Sequence, residues 1–146
     1  MLSTNILLVK RLSNNAQLPT NGHDDDCGLD LYCSEEQTIE PGAWADIATD
    51  VAVKLPPRTW GMLTGRSSAV RTHGLMVLQG VIDEGYTGEL YACVYNIRSQ
   101  PVTVTAGQRL AQLIIMHNVR AGVAIREVEE LPTTNRGANG FGSTGV

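Results

Sequence analysis

No apolar run in the 146-residue chain approaches the eighteen or so residues that a membrane helix needs, so no membrane association is expected. The first ten residues hold only the short apolar stretch 6–9 ahead of Lys10 and Arg11, without the length or flanks of a secretory signal. Cysteine is scarce. Cys27, Cys33 and Cys93 are odd in number and fit no zinc spacing, which argues against a disulfide framework and points to free buried thiols in a reducing compartment. A cytoplasmic setting is the expectation. Lysine is scarcer still, Lys10 and Lys54 standing beside nine arginines, and the formal net charge is −4. No basic patch or stripe is visible, which argues against nucleic acid as a partner. A small anionic ligand stays open, met by a few arginines and a metal ion that make a local positive site in an acidic protein.

What is present is turn-rich and globular. Apolar residues make up 42% of the chain, charged residues 18%, and there are 15 glycines, a composition and length that suit one domain with its own core. Short β-rich runs recur at 6–9, 29–32, 47–55, 60–64, 75–78, 88–95, 102–105, 110–116 and 123–128. Pro41-Gly42, Pro56-Pro57, Gly85, Gly107 and Gly122 separate them, the pattern of an all-β sandwich or barrel. Only 67–73 suits a turn or two of helix, with a serine at its start and Gly74 as a left-handed cap. Long helices do not alternate with the strands, which argues against a parallel α/β sheet and for a jelly-roll-like fold. After Pro132 the composition shifts: residues 133–146 hold four glycines and almost nothing that fills a core. The expected division is a β-barrel core over 1–131 and a mobile Gly-rich arm over 132–146. The single phenylalanine, Phe141, lies inside that arm between Gly140 and Gly142, better placed to cover something than to fill a core. Asp24, Asp25 and Asp26 read as a solvated loop.

Three stretches suggest chemistry. In Gly65-Arg66-Ser67-Ser68, between a strand end and the helix start, an arginine fork, two hydroxyls and free backbone N–H groups can converge on phosphate oxygens; a plain helix cap also accounts for it. Residues 80–89 read as two strands joined by a short acidic hairpin loop that carries Asp83 and Tyr86 near its tip. Residues 136–145 combine Arg136, Phe141 and Ser143-Thr144 with glycines that let backbone N–H groups close on a ligand. No Gly-Lys-Ser/Thr follows, so this is not a Walker A loop. His23, near Cys27 and Cys33, fits no common zinc pattern, and His73 and His117 suggest no role.

Together the chain resembles the trimeric, magnesium-dependent dUTPase family in five stretches taken in order: 27–32, 65–68, 80–89, 107–113 and 136–145. Thr87 stands where that family often has Arg, and Cys27 where it usually has Ala; neither removes a group the chemistry needs. The resemblance implies a jelly-roll-like dUTPase β-barrel with a flexible C-terminal arm closing over an active site, and hydrolysis of dUTP to dUMP and pyrophosphate. Asp83 would activate the water that attacks the α-phosphate and would meet the 3′-OH. Tyr86 would pack beneath the deoxyribose and exclude a 2′-OH. Val77, Val81 and Ile82, with Tyr91 on the returning strand, would read uracil. Arg66, Ser67 and Ser68 would bind phosphates. Asp30 and Gln112 would hold waters around Mg²⁺, itself carried mainly by the triphosphate. Arg136, Gly142 and Ser143 would clamp the terminal phosphates while Phe141 stacks on uracil. Arg109 receives no role. The resemblance also implies a homotrimer with sites shared between subunits, and leaves open a regulatory protein partner. Two rivals share the fold: a dCTP deaminase or bifunctional relative, which lacks the full arm signature, and a nucleotide-controlled binding protein. Zinc deaminases are excluded, since no His-x-Glu with a later Cys-x-x-Cys exists.

Overall fold

The computed structural model describes residues 5–139. In chain order the elements are β1 (Leu8–Arg11), β2 (Gly28–Tyr32), β3 (Gln37–Ile39), β4 (Trp44–Lys54), β5 (Thr59–Gly65), α1 (Ser67–His73), β6 (Leu75–Val77), β7 (Gly80–Ile82), β8 (Glu89–Asn96), β9 (Val102–Val104) and β10 (Arg109–His117), then a 3₁₀ turn at Arg120–Gly122. Alternation along the strands decides the architecture. On β8, Leu90, Ala92, Val94 and Asn96 are buried while Tyr91 and Tyr95 face outward, the period-two signature of a strand with one wet face.

Two four-stranded antiparallel sheets result, ordered β1-β4-β8-β6 and β2-β10-β5-β7, with a β3-β9 ribbon beside them. The core lies between them: Ile47, Val53, Leu90 and Val94 of the first sheet meet Leu31, Leu63, Leu110 and Leu113 of the second. Each such side chain contributes about 1.5–3 kcal/mol on burial, as an upper estimate. The all-β jelly-roll-like expectation is met. So is the helix, whose cap Gly74 has φ 66°; its N-cap, however, is Arg66 rather than a serine and makes no side-chain cap bond.

Three expectations need correction. Residues 123–128 form no strand, and Ile125 is 84% exposed; no strand among the described residues pairs with them, and an unpaired apolar run has no ladder to complete. Residues 80–89 are not a hairpin. β7 pairs with β5, Gly61 opposite Ile82, whereas β8 pairs with β4 and β6, so the acidic loop crosses from one sheet to the other. Gly61 makes that docking fit, since a Cβ there would come 2.8 Å from Leu113 Cδ1 and 3.2 Å from Ile82 Cβ. Finally, all three cysteines are free, but Cys27 is exposed and only Cys33 is fully buried, its thiol pushed up to about 11 by burial. No helix of the described residues is long and apolar enough to cross a membrane.

Candidate active site

The residues singled out by sequence gather in two clefts that share no lining residue. The first opens beside β2, β10 and the start of α1, with a volume of about 440 Å³, and is lined by Asp30, Arg66, Ser67, Arg109 and Gln112 together with the loop that carries His23, Asp26 and Cys27. Register places its polar groups. Gln112 lies opposite Asp30 on one side and Thr64 on the other, and its amide donates to the Gly65 carbonyl at 3.0 Å. A Cβ on Gly28 would collide with Gln112 Oε1, so a larger residue there would displace that side chain. Arg66 sits just past β5, its backbone N–H bonded to the Leu110 carbonyl at 2.9 Å.

Asp30, nearly buried, accepts Arg66 Nε at 2.8 Å and Arg109 Nη1 at 3.3 Å. Two guanidinium groups meet on the Asp30 carboxylate, and with Asp26 also on the lining the two arginines balance two carboxylates; Arg109 thereby acquires the structural role sequence could not assign. His23 and Asp26 were also missed. Asp26 Oδ2 accepts the backbone N–H groups of His23 at 2.9 Å and Gly22 at 3.0 Å, bonds that hold its carboxyl below the usual carboxylate range. The charge run is a solvated loop, as expected, yet one member organises the cleft rim; the Gly22-to-Asp26 spacing was the only available signal.

The second cleft, about 330 Å³, is lined by Asp46, Val81, Ile82, Asp83, Tyr86, Glu89 and Tyr91. It holds three carboxylates and no cation. Their states differ. Glu84, outside the lining, accepts the Arg58 backbone N–H at 3.1 Å, and its carbonyl accepts Lys54 Nζ at 2.8 Å; Arg58 is one of two described non-glycine residues with positive φ, at 61°. Glu89 is engaged by Tyr91 Oη at 2.7 Å and the Asp50 N–H at 3.0 Å. Asp46 lies by Cys93, whose thiol is raised by burial and then by that carboxylate. Asp83 is exposed, and no hydrogen-bond or ion-pair partner meets its carboxylate among the described residues. Tyr86 folds back over Gly88, where a Cβ would lie 2.5 Å from Tyr86 Oη, and donates to the Glu89 carbonyl at 2.8 Å.

Other expected site residues lie elsewhere. Ser68 and Val77 line neither cleft; Val77 packs over Gly65, where a Cβ would sit 3.2 Å from its own. Arg136 is exposed and bonds the Asn139 carbonyl at 2.9 Å within its own segment. Phe141, Gly142 and Ser143 fall outside the described residues. Among the described residues no three His, Cys, Asp or Glu side chains converge to hold a metal ion.

Comparison with known proteins places this geometry. The dUTPase family model matches residues 14–145. Deoxyuridine 5'-triphosphate nucleotidohydrolases from Clostridium kluyveri and Crocosphaera subtropica are 42% and 41% identical, over 96% and 93% of this chain and 98% and 96% of their own. Among solved structures, the Staphylococcus bacteriophage 80alpha dUTPase with dUpNHpp superposes with a TM-score of 0.91 at 32% identity, covering 97% of this chain and 99% of its own. A mutant dUTPase from phage phi11 of S. aureus, which coordinates a structural Mg(II) ion, superposes at 0.80 with 31% identity, over 86% of this chain and 98% of its own.

Proposed function

The chain belongs to the dUTPase family, whose members hydrolyse dUTP to dUMP and pyrophosphate, and we propose that its two clefts are the two halves of that site. The observation that carries this is their opposite character. A triphosphate is repelled by a pocket of three carboxylates without a cation and is met in the other cleft by two arginines, which balance its two carboxylates. The nucleoside therefore enters the Tyr86–Tyr91 pocket and the phosphates the Arg66 cleft.

Asp83 is the general base. Of the carboxylates around the crossover loop, Glu84 and Glu89 are spent on hydrogen bonds, while that of Asp83 is free to accept a proton from water. Its oxygen takes the proton as the water oxygen bonds the α-phosphorus, and the bond to the bridging oxygen breaks with pyrophosphate leaving. Tyr86 supports the sugar: drawn down by its bond to Glu89, the ring closes the space a 2′-OH would need. Val81, Ile82 and Tyr91 flank the base, Ser67 and Arg66 take phosphate oxygens, and Gln112 orients the waters of a magnesium shell. The donor set fits Mg²⁺ in one form only. Asp30 holds two arginines, and no cage of three acidic or imidazole groups exists among the described residues, so Asp30 and Gln112 would meet Mg²⁺ only through its waters, the triphosphate carrying the ion; bound in that way it would supply neutralisation of phosphate charge. Arg136, Gly142, Ser143 and Phe141 complete the phosphate and base contacts when the arm, 132–146, closes on the 1–131 core.

The assembly in this reading is a homotrimer. The two clefts share no residue in one subunit, and exposed Val119, Val123, Ile125, Val128 and Leu131 run on from β10, an apolar strip suited to burial against another copy. Pyrophosphate release from dUTP, dCTP and UTP, with ammonia measured in parallel, tests the reading. dUTP should exceed the others at least about a hundredfold in kcat/KM without ammonia; ammonia from dCTP would instead identify a deaminase.

A further inference from the structure

The Glu89 side chain receives no role in the reaction above, yet the structure makes this residue the hub of the nucleoside pocket. β4 leaves regular pairing opposite it: between Ala48↔Tyr91 and Ala52↔Glu89 the ladder slips, so four steps along β4 answer two along β8. Thr49 fills the irregularity, its hydroxyl donating to the Leu90 carbonyl at 2.6 Å. Asp50 turns into the left-handed region at φ 53°, a costly conformation for a residue with a side chain, and one that persists where neighbours fix it. They do so here: the Leu12 N–H bonds the Asp50 carbonyl at 2.8 Å and the Ser13 hydroxyl bonds its carboxylate. The conformation presents the Asp50 N–H to Glu89 Oε1 at 3.0 Å, leaving Oε2 to receive Tyr91 Oη at 2.7 Å. The same residue's carbonyl holds Tyr86 at 2.8 Å. Both tyrosines of the pocket are thus tied to one residue, which is itself clamped by the β4 bulge.

We infer that Glu89 is a positioning residue for substrate selection: its carboxylate, anchored by the Asp50 N–H, fixes the Tyr91 phenol against the pocket wall. Glu89 touches no reacting atom; it acts by removing a rotamer choice from an exposed aromatic ring before the nucleotide arrives. Ordering one such side chain on binding is worth about three- to tenfold in affinity, and a loose wall yields to a nucleotide of the wrong shape. The inference rests on the nucleoside pocket proposed above.

Kinetics of Glu89→Ala, Glu89→Gln, Tyr91→Phe and the Glu89→Ala/Tyr91→Phe double variant, with dUTP and dCTP, test it. Glu89→Ala should raise KM for dUTP about three- to tenfold and lower the dUTP/dCTP ratio of kcat/KM by a similar factor, with kcat down no more than about threefold. Tyr91→Phe should match it, and the double variant should add nothing, since each removes the same bond. Glu89→Gln should restore both values, because its amide can donate to the phenol oxygen while its carbonyl serves Asp50. A spectroscopic signature accompanies this. The Glu89 bond raises the Tyr91 phenol above its ordinary value, so the component of the tyrosinate absorbance titration lost in Tyr91→Phe should move down in Glu89→Gln. Additive effects, a silent Glu89→Ala or an unmoved titration would overturn the inference. Should Glu89→Ala not fold, the Gln and Phe variants decide through the titration and the dCTP ratio. A wild-type protein that leaves dUTP intact would sink the dUTPase mechanism instead, while the titration still reports on the bond.

Discussion

The phosphate cleft and the nucleoside pocket are built on different principles. In the cleft the central polar groups stand at or beside register positions of one sheet: Asp30 on β2, Gln112 opposite it on β10, and Arg66 one residue past β5. The pocket is assembled from a loop that passes between two sheets, and side-chain bonds to Arg58, Lys54 and Asp50 hold it in place. Ladder pairing fixes a group by backbone geometry that several neighbours enforce together; a crossover loop depends on each individual bond. Binding of a charged chain suits the first arrangement, and selection of a shape suits the second.

The largest expected effect falls in the pocket. Asp83→Asn should lower kcat by at least a hundred- to ten-thousandfold, measured by pyrophosphate release, while dUpNHpp with Mg²⁺ binds within about tenfold of wild type. Glu84→Gln, which keeps an acceptor for the Arg58 N–H, should stay near wild type. A reversal of the two would move the base to Glu84 and dissolve the distinction between free and engaged carboxylates.

In the cleft, Arg66→Ala should act on binding and on folding together. Loss of a charge-assisted phosphate contact costs about a hundredfold in kcat/KM. Asp30, left with Arg109 alone in a mostly buried position, should cost about 1–2 kcal/mol, read as a lower urea midpoint. An unchanged midpoint would show that the ion pair is not part of the scaffold.

Much of this difference could be read from the chain beforehand. Arg66 and Ser67 were visible because a strand end followed by a helix start leaves few alternatives, and the helix came out with its bounds as expected. Gln112 and Asp30 were placed by family resemblance, but their closeness is a matter of register, and so is the role of Gly28. The crossover loop was misread as a hairpin because two short apolar runs around a tight acidic turn look alike whether they pair with each other or with different sheets; the deciding residue, Gly61, is distant in sequence. The bonds of Glu84 and Glu89 to the Arg58 and Asp50 N–H groups gave no signal, since a carboxylate bonding a remote backbone N–H has no local pattern. The strand expected at 123–128 failed for want of a partner among the described residues.

Two glycines sharpen the contrast further. Gly28→Ala should displace Gln112, destabilising the protein by about 1–3 kcal/mol and lowering kcat/KM, whereas Gly85→Ala in the crossover loop, with nothing within 4 Å of the added Cβ, should change neither. Equal effects at both sites would mean that the cleft is not the more tightly packed of the two.

The smallest effect concerns the cleft rim. Asp26 has its pKa lowered by the His23 backbone bond, so its contribution to stability is present above the unfolded-state value and is lost as pH falls through the folded one. Asp26→Asn should therefore narrow the difference in melting temperature between neutral and acidic pH slightly, and a wider difference would contradict the assignment.

Whether cleft and pocket are halves of one dUTP site contributed by different subunits can be measured by mixing. Asp83→Asn damages only the pocket and Arg66→Ala only the cleft. Co-refolded one to one, the two weak variants should form mixed trimers in which about a quarter of the sites pair an intact pocket with an intact cleft, and dUTP turnover should recover to about that fraction of wild type. Turnover no higher than the mean of the separate variants, in a mixture shown to exchange subunits, would mean that each subunit holds its whole site and that the division is wrong.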